Sequence, residues 1–196
     1  MTRTEVLSPI DALWPARTDN RILRAVVLAV IGSALLTLSA KIQVPFYPVP
    51  MTMQTCLVLV LGMALGPTLG LATVLLYLAE GAAGLPVFAG TPEKGLGLAY
   101  MMGPTGGYLL GFAISVWLVG LISRWRPDAL GLTLAAIAGT VLTFVPGVLW
   151  LAGLLGDFEK AVALGLTPFL LGALVKGLLA IAIGLAGLSW MRRRLA

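Results

Sequence analysis

Apolar residues in this chain gather into long runs separated by short polar or Gly/Pro-rich breaks. The first run covers residues 22–40 (ILRAVVLAVIGSALLTLSA) and is closed by Lys41 and the stretch KIQVPFYPVP. Three prolines within six residues forbid a helix there. A second run begins near Met51 and a third ends near Leu85, with Gly66-Pro67 between them as a tight reversal. Residues 86–107 (PVFAGTPEKGLGLAYMMGPTGG) hold too much Gly and Pro for a regular helix. They are apolar enough to pack back onto a bundle as a long ordered or re-entrant loop. Further helices are predicted over about 108–123, 130–154 and 167–190, which makes six.

Composition turns these runs into a class. With 59% hydrophobic and 11% charged residues in 196, the chain has more apolar surface than one soluble domain of this length can hide, so the excess faces lipid. Each span takes roughly 20 residues, which leaves room for about six. The expectation is an all-α integral membrane protein with six transmembrane helices. Residues 21–196 form the membrane domain and residues 1–20 a cytoplasmic tail, since they mix both charge signs and lack the apolar core of a signal peptide. With the N-terminus inside, inner segments hold nine of the thirteen basic residues: Arg3, Arg17, Arg21, Arg24, Arg124, Arg126, Arg192, Arg193 and Arg194. Outer segments hold Lys41, Lys94 and Lys160, and this asymmetry places both termini in the cytoplasm.

Several functions are disfavoured. The formal charge of +5 lies at helix ends rather than on a face interleaved with aromatics, which argues against nucleic acid. Histidine is absent, removing the commonest general base and metal ligand. Cys56, the single cysteine, sits in an apolar run as a packing residue. No phosphate-loop lysine motif, nucleophile elbow or metal-ligand spacing occurs, so the chain is not expected to hydrolyse ATP. No cluster of acid, base and nucleophile supports an intramembrane enzyme.

Lys176 is the most informative residue, because it falls inside the last apolar run (TPFLLGALVKGLLAIAIGLAG). A lone charge at mid-span costs at least ~2.5 kcal/mol unless paired. Its own helix offers no carboxylate one turn away, which leaves another helix, a bound anion or a lowered pKa; snorkelling to an interface is the bland alternative. Glu80 is either its partner or a solvated helix-end charge. Ala25, Ala29 and Ser33 form a small-residue stripe suited to internal packing or to another subunit. Gly106-Gly107, Gly103, Gly97, Gly95 and Gly90 let backbone approach a ligand, with Phe88, Tyr100 and Tyr108 around them as stacking surface and hydroxyl donors. A compact plug packed for its own sake is the competing account.

Three blocks, VPFYPVPMTMQT (44–55), LYLAEGAAGLPVFAG (76–90) and GLAYMMGPTGGYLLGF (97–112), closely resemble the biotin-specific S component of energy-coupling factor (ECF) transporters, the BioY family. The resemblance runs from about residue 20 to the C-terminus. It implies a biotin-binding subunit of the cytoplasmic (inner) membrane, without cofactor, working with a transmembrane coupling subunit and two ATPases. It further implies a coupling-subunit contact through Ala25 and Ala29. Biotin is expected near the outer face, between the 41–50 loop, the 86–107 loop and the start of the last helix. Lys176, Tyr108, Tyr100, Gln54, Phe88 and Gly107 are the expected ligand residues. The family reads proline-phenylalanine, then glycine-aspartate, two apolar residues and lysine. TPFLLGALVK keeps Pro168, Phe169, Gly172 and Lys176 but has Ala173 where the aspartate is expected. The alternative is a self-sufficient biotin carrier, as a homo-oligomer, without an ATPase module.

Overall fold

The computed structural model describes residues 20–195; the expected tail of residues 1–20 lies almost wholly outside them. The elements in order are α1 (Arg21–Lys41), β1 (Gln43–Val44), β2 (Met51–Thr52), α2 (Gln54–Ala82), α3 (Gly97–Met101), α4 (Gly106–Trp125), α5 (Ala129–Leu155), α6 (Phe158–Gly165), a 3₁₀ turn (Thr167–Phe169) and α7 (Leu170–Leu195). Five helical stretches among the described residues are long and apolar enough to cross a membrane.

One of these, α2, is a hairpin rather than a rod. Gly66 (φ 77°, ψ −177°) interrupts it ahead of Pro67, in a backbone region essentially reserved for glycine. In a straight helix Gln54 and Tyr77 would stand about 35 Å apart at 1.5 Å per residue. Instead the Gln54 Nε2 donates to the Tyr77 hydroxyl at 2.7 Å, so the arms 54–65 and 67–82 lie antiparallel. The reversal predicted at Gly66-Pro67 is therefore present, and the two arms with α1, α4, α5 and α7 give six passages among the described residues. Arg124, at the end of α4, donates to the Leu65 carbonyl at 3.3 Å. Its guanidinium thereby takes up one of the orphan acceptors at the first arm's end and sits favourably at that negative terminus.

The same end of the bundle holds the α4–α5 turn and the close of α7. Asp128 caps α5 by accepting from the Gly131 amide at 2.7 Å, and the Arg126 Nε lies 3.0 Å from its carboxylate. The capping amide and then the Arg126 guanidinium hold the Asp128 carboxyl below the usual carboxylate range. Arg192 donates to the Pro127 carbonyl at 3.0 Å, fastening α7 there. Outward, the surface is apolar: Leu171, Leu174, Val175 and Leu178 of α7 are all exposed, as lipid-facing residues are.

At the opposite end the backbone turns irregular. β1 and β2 pair antiparallel, with Gln43 opposite Thr52 and Val44 opposite Met51. Residues 83–105 fold over the bundle as the predicted ordered loop, which also holds the short helix α3. Lys41, read in the sequence only as an outer charge, ties this loop down: its ammonium donates to the carbonyls of Pro86 (2.9 Å), Phe88 (3.0 Å) and Thr91 (3.2 Å). Trp150 Nε1 on α5 adds a bond to the Gly103 carbonyl at 3.0 Å. The prediction also omitted α6, which Asp157 caps through the Lys160 amide at 3.0 Å.

Two outcomes follow from these contacts. Gly66→Ala will lower stability by about 1–3 kcal/mol because alanine cannot adopt that backbone without strain, checked by thermal unfolding of the detergent-purified chain. Lys41→Met will free the 86–91 carbonyls and raise amide exchange across residues 87–91 while leaving α5 protection unchanged, checked by hydrogen–deuterium exchange.

Candidate functional site

Between the irregular end and the helices lies a concave cavity, about 540 Å³ when the space of its open mouth is counted with it. Its walls come from every part of the fold except α1, β1 and α6. The hairpin segment supplies Val49–Thr52, the first arm of α2 Gln54 and Thr55, and the second arm Tyr77. The loop supplies Phe88, Ala89 and Tyr100; α4 supplies Tyr108 and Phe112; α5 supplies Thr143 and Phe144; Phe169 and Lys176 close it.

Of the residues expected at the site, Lys176, Tyr108, Tyr100, Gln54 and Phe88 all border this one cavity. Gly107 does not: it lies where α4 meets α5, and a side chain there would overlap the Pro146 carbonyl and Trp150. Its role in the fold is the close approach of two helices. Lys176 is 7% exposed and donates to the Thr52 carbonyl at 3.0 Å, so it points inward and does not snorkel. It is the seventh residue of the 26-residue α7, hence in the first third of that helix, at the cavity end, rather than at its middle. The apolar run in the sequence extends upstream of Leu170, but the chain there forms the 3₁₀ turn, which is why the sequence put Lys176 too deep. Glu80 is not its partner: Ser33 on α1 donates to the Glu80 carboxylate. Among the described residues no Asp or Glu borders the cavity.

The tyrosines are arranged differently from the expectation. Tyr108 donates its proton to the Gly165 carbonyl at 2.7 Å, Tyr100 to the Ala89 carbonyl at 2.8 Å, and Tyr77 to the Val87 carbonyl at 3.2 Å. A buried phenol needs such a partner, so these residues present ring faces and acceptor oxygens to the cavity rather than free donors. Burial pushes the Tyr100 phenol above its ordinary pKa. Phe88 is 1% exposed, stacked on Tyr100 at 4.9 Å and edge-on to Tyr77 at 5.4 Å. Gln54 uses one amide N–H on Tyr77, while Thr52 Oγ1 lies 3.3 Å from its carbonyl oxygen. Its second N–H, two protons of Lys176 and the Thr55 hydroxyl, which is buried without a partner, are donors left for a ligand.

Sequence reasoning passed over Tyr77, Thr55, Thr143, Phe112 and Phe144, and named Phe169 only as a retained motif residue. Each sits in an apolar run whose inward face no local pattern marks. The stripe Ala25, Ala29, Ser33 turns toward the bundle: Ala29 is 8% exposed and Ser33 is buried, while Ala25 is half-buried. The outward face of α1 is instead Ile22, Val26, Val30 and Leu38.

The protein-family model that matches this chain is the BioY family, over residues 9–193. A protein of Pyrococcus horikoshii described as a probable biotin transporter BioY is 38% identical over 160 residues, covering 82% of this chain and 93% of that protein. The Thermotoga maritima biotin transporter BioY is 35% identical over 163 residues, covering 83% and 95%. Among solved structures, an S-component for biotin from an ECF-type ABC transporter shares the fold with a TM-score of 0.75 at 24% identity, over 92% of this chain and 96% of that one. A family match that spans nearly the whole chain, together with relatives matched over nearly their full length, makes this multi-pass membrane protein a member of the BioY family.

Proposed function

We propose that this chain takes up biotin as the substrate-binding membrane subunit of an energy-coupling factor transporter. The observation that carries the reading is the aromatic-walled cavity bordered by a buried lysine, in a chain whose relatives are named biotin transporters. Biotin is a compact bicyclic ring with a short acyl chain. Ring faces of Phe88, Tyr100 and Tyr108 offer it apolar contact, and Lys176 and Gln54 offer the donors that fix its orientation.

Orientation is supported by charge. Seven arginines of the described residues (Arg21, Arg24, Arg124, Arg126, Arg192, Arg193, Arg194) gather at the end away from the cavity, against Lys41, Lys94 and Lys160 at the cavity end. By the positive-inside bias the termini are cytoplasmic and the cavity faces outward across the inner cell membrane. Capture from outside needs energy for release inside, and the sequence carries no phosphate-binding loop, which supports reliance on a coupling subunit and two ATPases. The first helix is the proposed contact. Ala29 is covered by its own chain, so a coupling subunit meets the half-buried Ala25 beside the exposed Ile22, Val26 and Val30.

Titration calorimetry of the purified chain in detergent will show biotin binding, and Lys176→Ala will weaken it about 10- to 100-fold, the value of a hydrogen bond to a charged group. Equal affinity in the two proteins would remove Lys176 from the site. Reconstituted alone in sealed liposomes, the chain will not accumulate labelled biotin. Adding the coupling subunit, ATPases and ATP will start uptake, whereas accumulation by the chain alone would point to a self-sufficient carrier.

A further inference from the structure

Lys41 does not border the cavity, and the uptake reading gives it no part. Its surroundings are organised as a cation site. The ammonium meets four oxygens of one loop segment: the carbonyls of Pro86 (2.9 Å), Phe88 (3.0 Å) and Thr91 (3.2 Å), and the Thr91 hydroxyl oxygen (3.2 Å). A lysine has three N–H groups, so one is shared. The Thr91 hydroxyl gives its own proton to the Phe88 carbonyl at 2.7 Å, which leaves its oxygen to accept from Lys41. No carboxylate pairs with the ammonium among the described residues; neutral oxygens are its only partners.

The segment divides its carbonyls between two sides. Those of Pro86, Phe88 and Thr91 turn to Lys41, while those of Val87 and Ala89 accept from the cavity tyrosines, Tyr77 at 3.2 Å and Tyr100 at 2.8 Å. Phe88 is thereby laid over Gly81, where a methyl group would overlap its ring, and is stacked on Tyr100. Phe88 and Ala89 are cavity wall, so Lys41 holds that wall from behind, where no ligand reaches.

We propose that residues 86–91 form a site for a primary ammonium, which the chain fills with its own Lys41, and that the filled site positions Phe88 and Ala89 for the ligand. Lys41 is then a positioning residue that sets affinity without contact. With the site empty, three carbonyls lose their common donor, and a ligand has to order the segment as it binds. A merely solvated helix-end charge would leave the cavity unchanged on removal. The inference rests on the uptake reading for its ligand, biotin.

The test uses the full chain in detergent. By titration calorimetry Lys41→Ala will bind biotin about tenfold more weakly than the parent, the cost of ordering a loose segment and its ring. The truncation leaves a gap the shape of n-propylammonium, and Lys41 is an exposed residue, so a small solute has access. Propylammonium will restore the affinity saturably, whereas tetramethylammonium at equal concentration, a cation without N–H groups, will not. Lys41→Met fills the gap without charge and will stay weak in both salts. Parent affinity in Lys41→Ala, or an equal response to both salts, would overturn the proposal. Should Lys41→Ala not fold, Lys41→Met decides, since affinity equal to the parent's rejects the positioning role and a tenfold loss supports it. A parent that binds no biotin would count against the uptake reading alone. The ammonium site is then decided by hydrogen–deuterium exchange without ligand: propylammonium, and not tetramethylammonium, will slow exchange over residues 87–91 of Lys41→Ala, and no slowing rejects the site.

Discussion

An ammonium held in an apolar span has to be partnered, and the cavity end of this bundle is arranged around that requirement. Lys176 reaches the Thr52 carbonyl at 3.0 Å, which belongs to β2 and lies two residues before α2. One bond therefore ties the last helix to the hairpin that precedes the second. The contact is continued by Met51, whose thioether occupies the space a side chain at Gly172 would need. Because α7 presents most of its length to lipid, its position rests on this bond at the cavity end, on packing against the first arm of α2, and on the Arg192 bond to Pro127 at the other end. Non-helical backbone at membrane depth is tolerated only where protein or a cavity surrounds it. Here the hairpin and the loop of residues 83–105 meet that condition by lining the same cavity.

How much of this was legible depends on how far each residue's partner lies along the chain. Gly66-Pro67 announced the reversal because the pair is a local punctuation mark in an otherwise unbroken run. Lys176 announced itself because a charge stands out in apolar sequence. Tyr77 gave no signal: a tyrosine in an apolar helix is unremarked until Gln54 faces it across the hairpin, 23 positions earlier. Lys41 looked like any helix-end charge, since the three carbonyls that it gathers are backbone atoms and have no signature in sequence. Arg124 was counted for orientation, but its bond to Leu65 spans 59 positions. The glycine-rich loop already grouped Phe88, Tyr100 and Tyr108, and the family resemblance joined Gln54 to them in one site. Both also brought in Gly107, a glycine that the structure uses for helix packing.

The cavity's polar groups are largely matched to one another before any ligand arrives. Three tyrosine protons go to backbone carbonyls, and Gln54 is shared between Thr52 and Tyr77. This lowers the cost of an empty site, since unpaired buried donors are expensive. It also restricts what a ligand can gain. Most of its binding must come from apolar contact with ring faces, and its directionality from the few donors that remain. Such a division favours a rigid ring of matching shape over a flexible polar molecule, because the rigid ring gives up less conformational freedom on burial.

The two sides of the cavity are fastened unequally, and this bears on how a ligand passes. Loop residues 86–105 are held by Lys41 through three carbonyls, by Tyr77 and Tyr100 through their hydroxyls, and by Trp150 through Gly103. The hairpin segment 43–52 is held by two strand pairs, the Met53 amide to the Ile42 carbonyl at 3.1 Å, and Lys176. Local opening follows the side with fewer bonds to break, which is the hairpin. Lys176 then serves twice: it borders the cavity and it holds that segment through Thr52. Any group in the cavity that competed with the Thr52 carbonyl for the ammonium would loosen the hairpin, the side already held by fewer bonds.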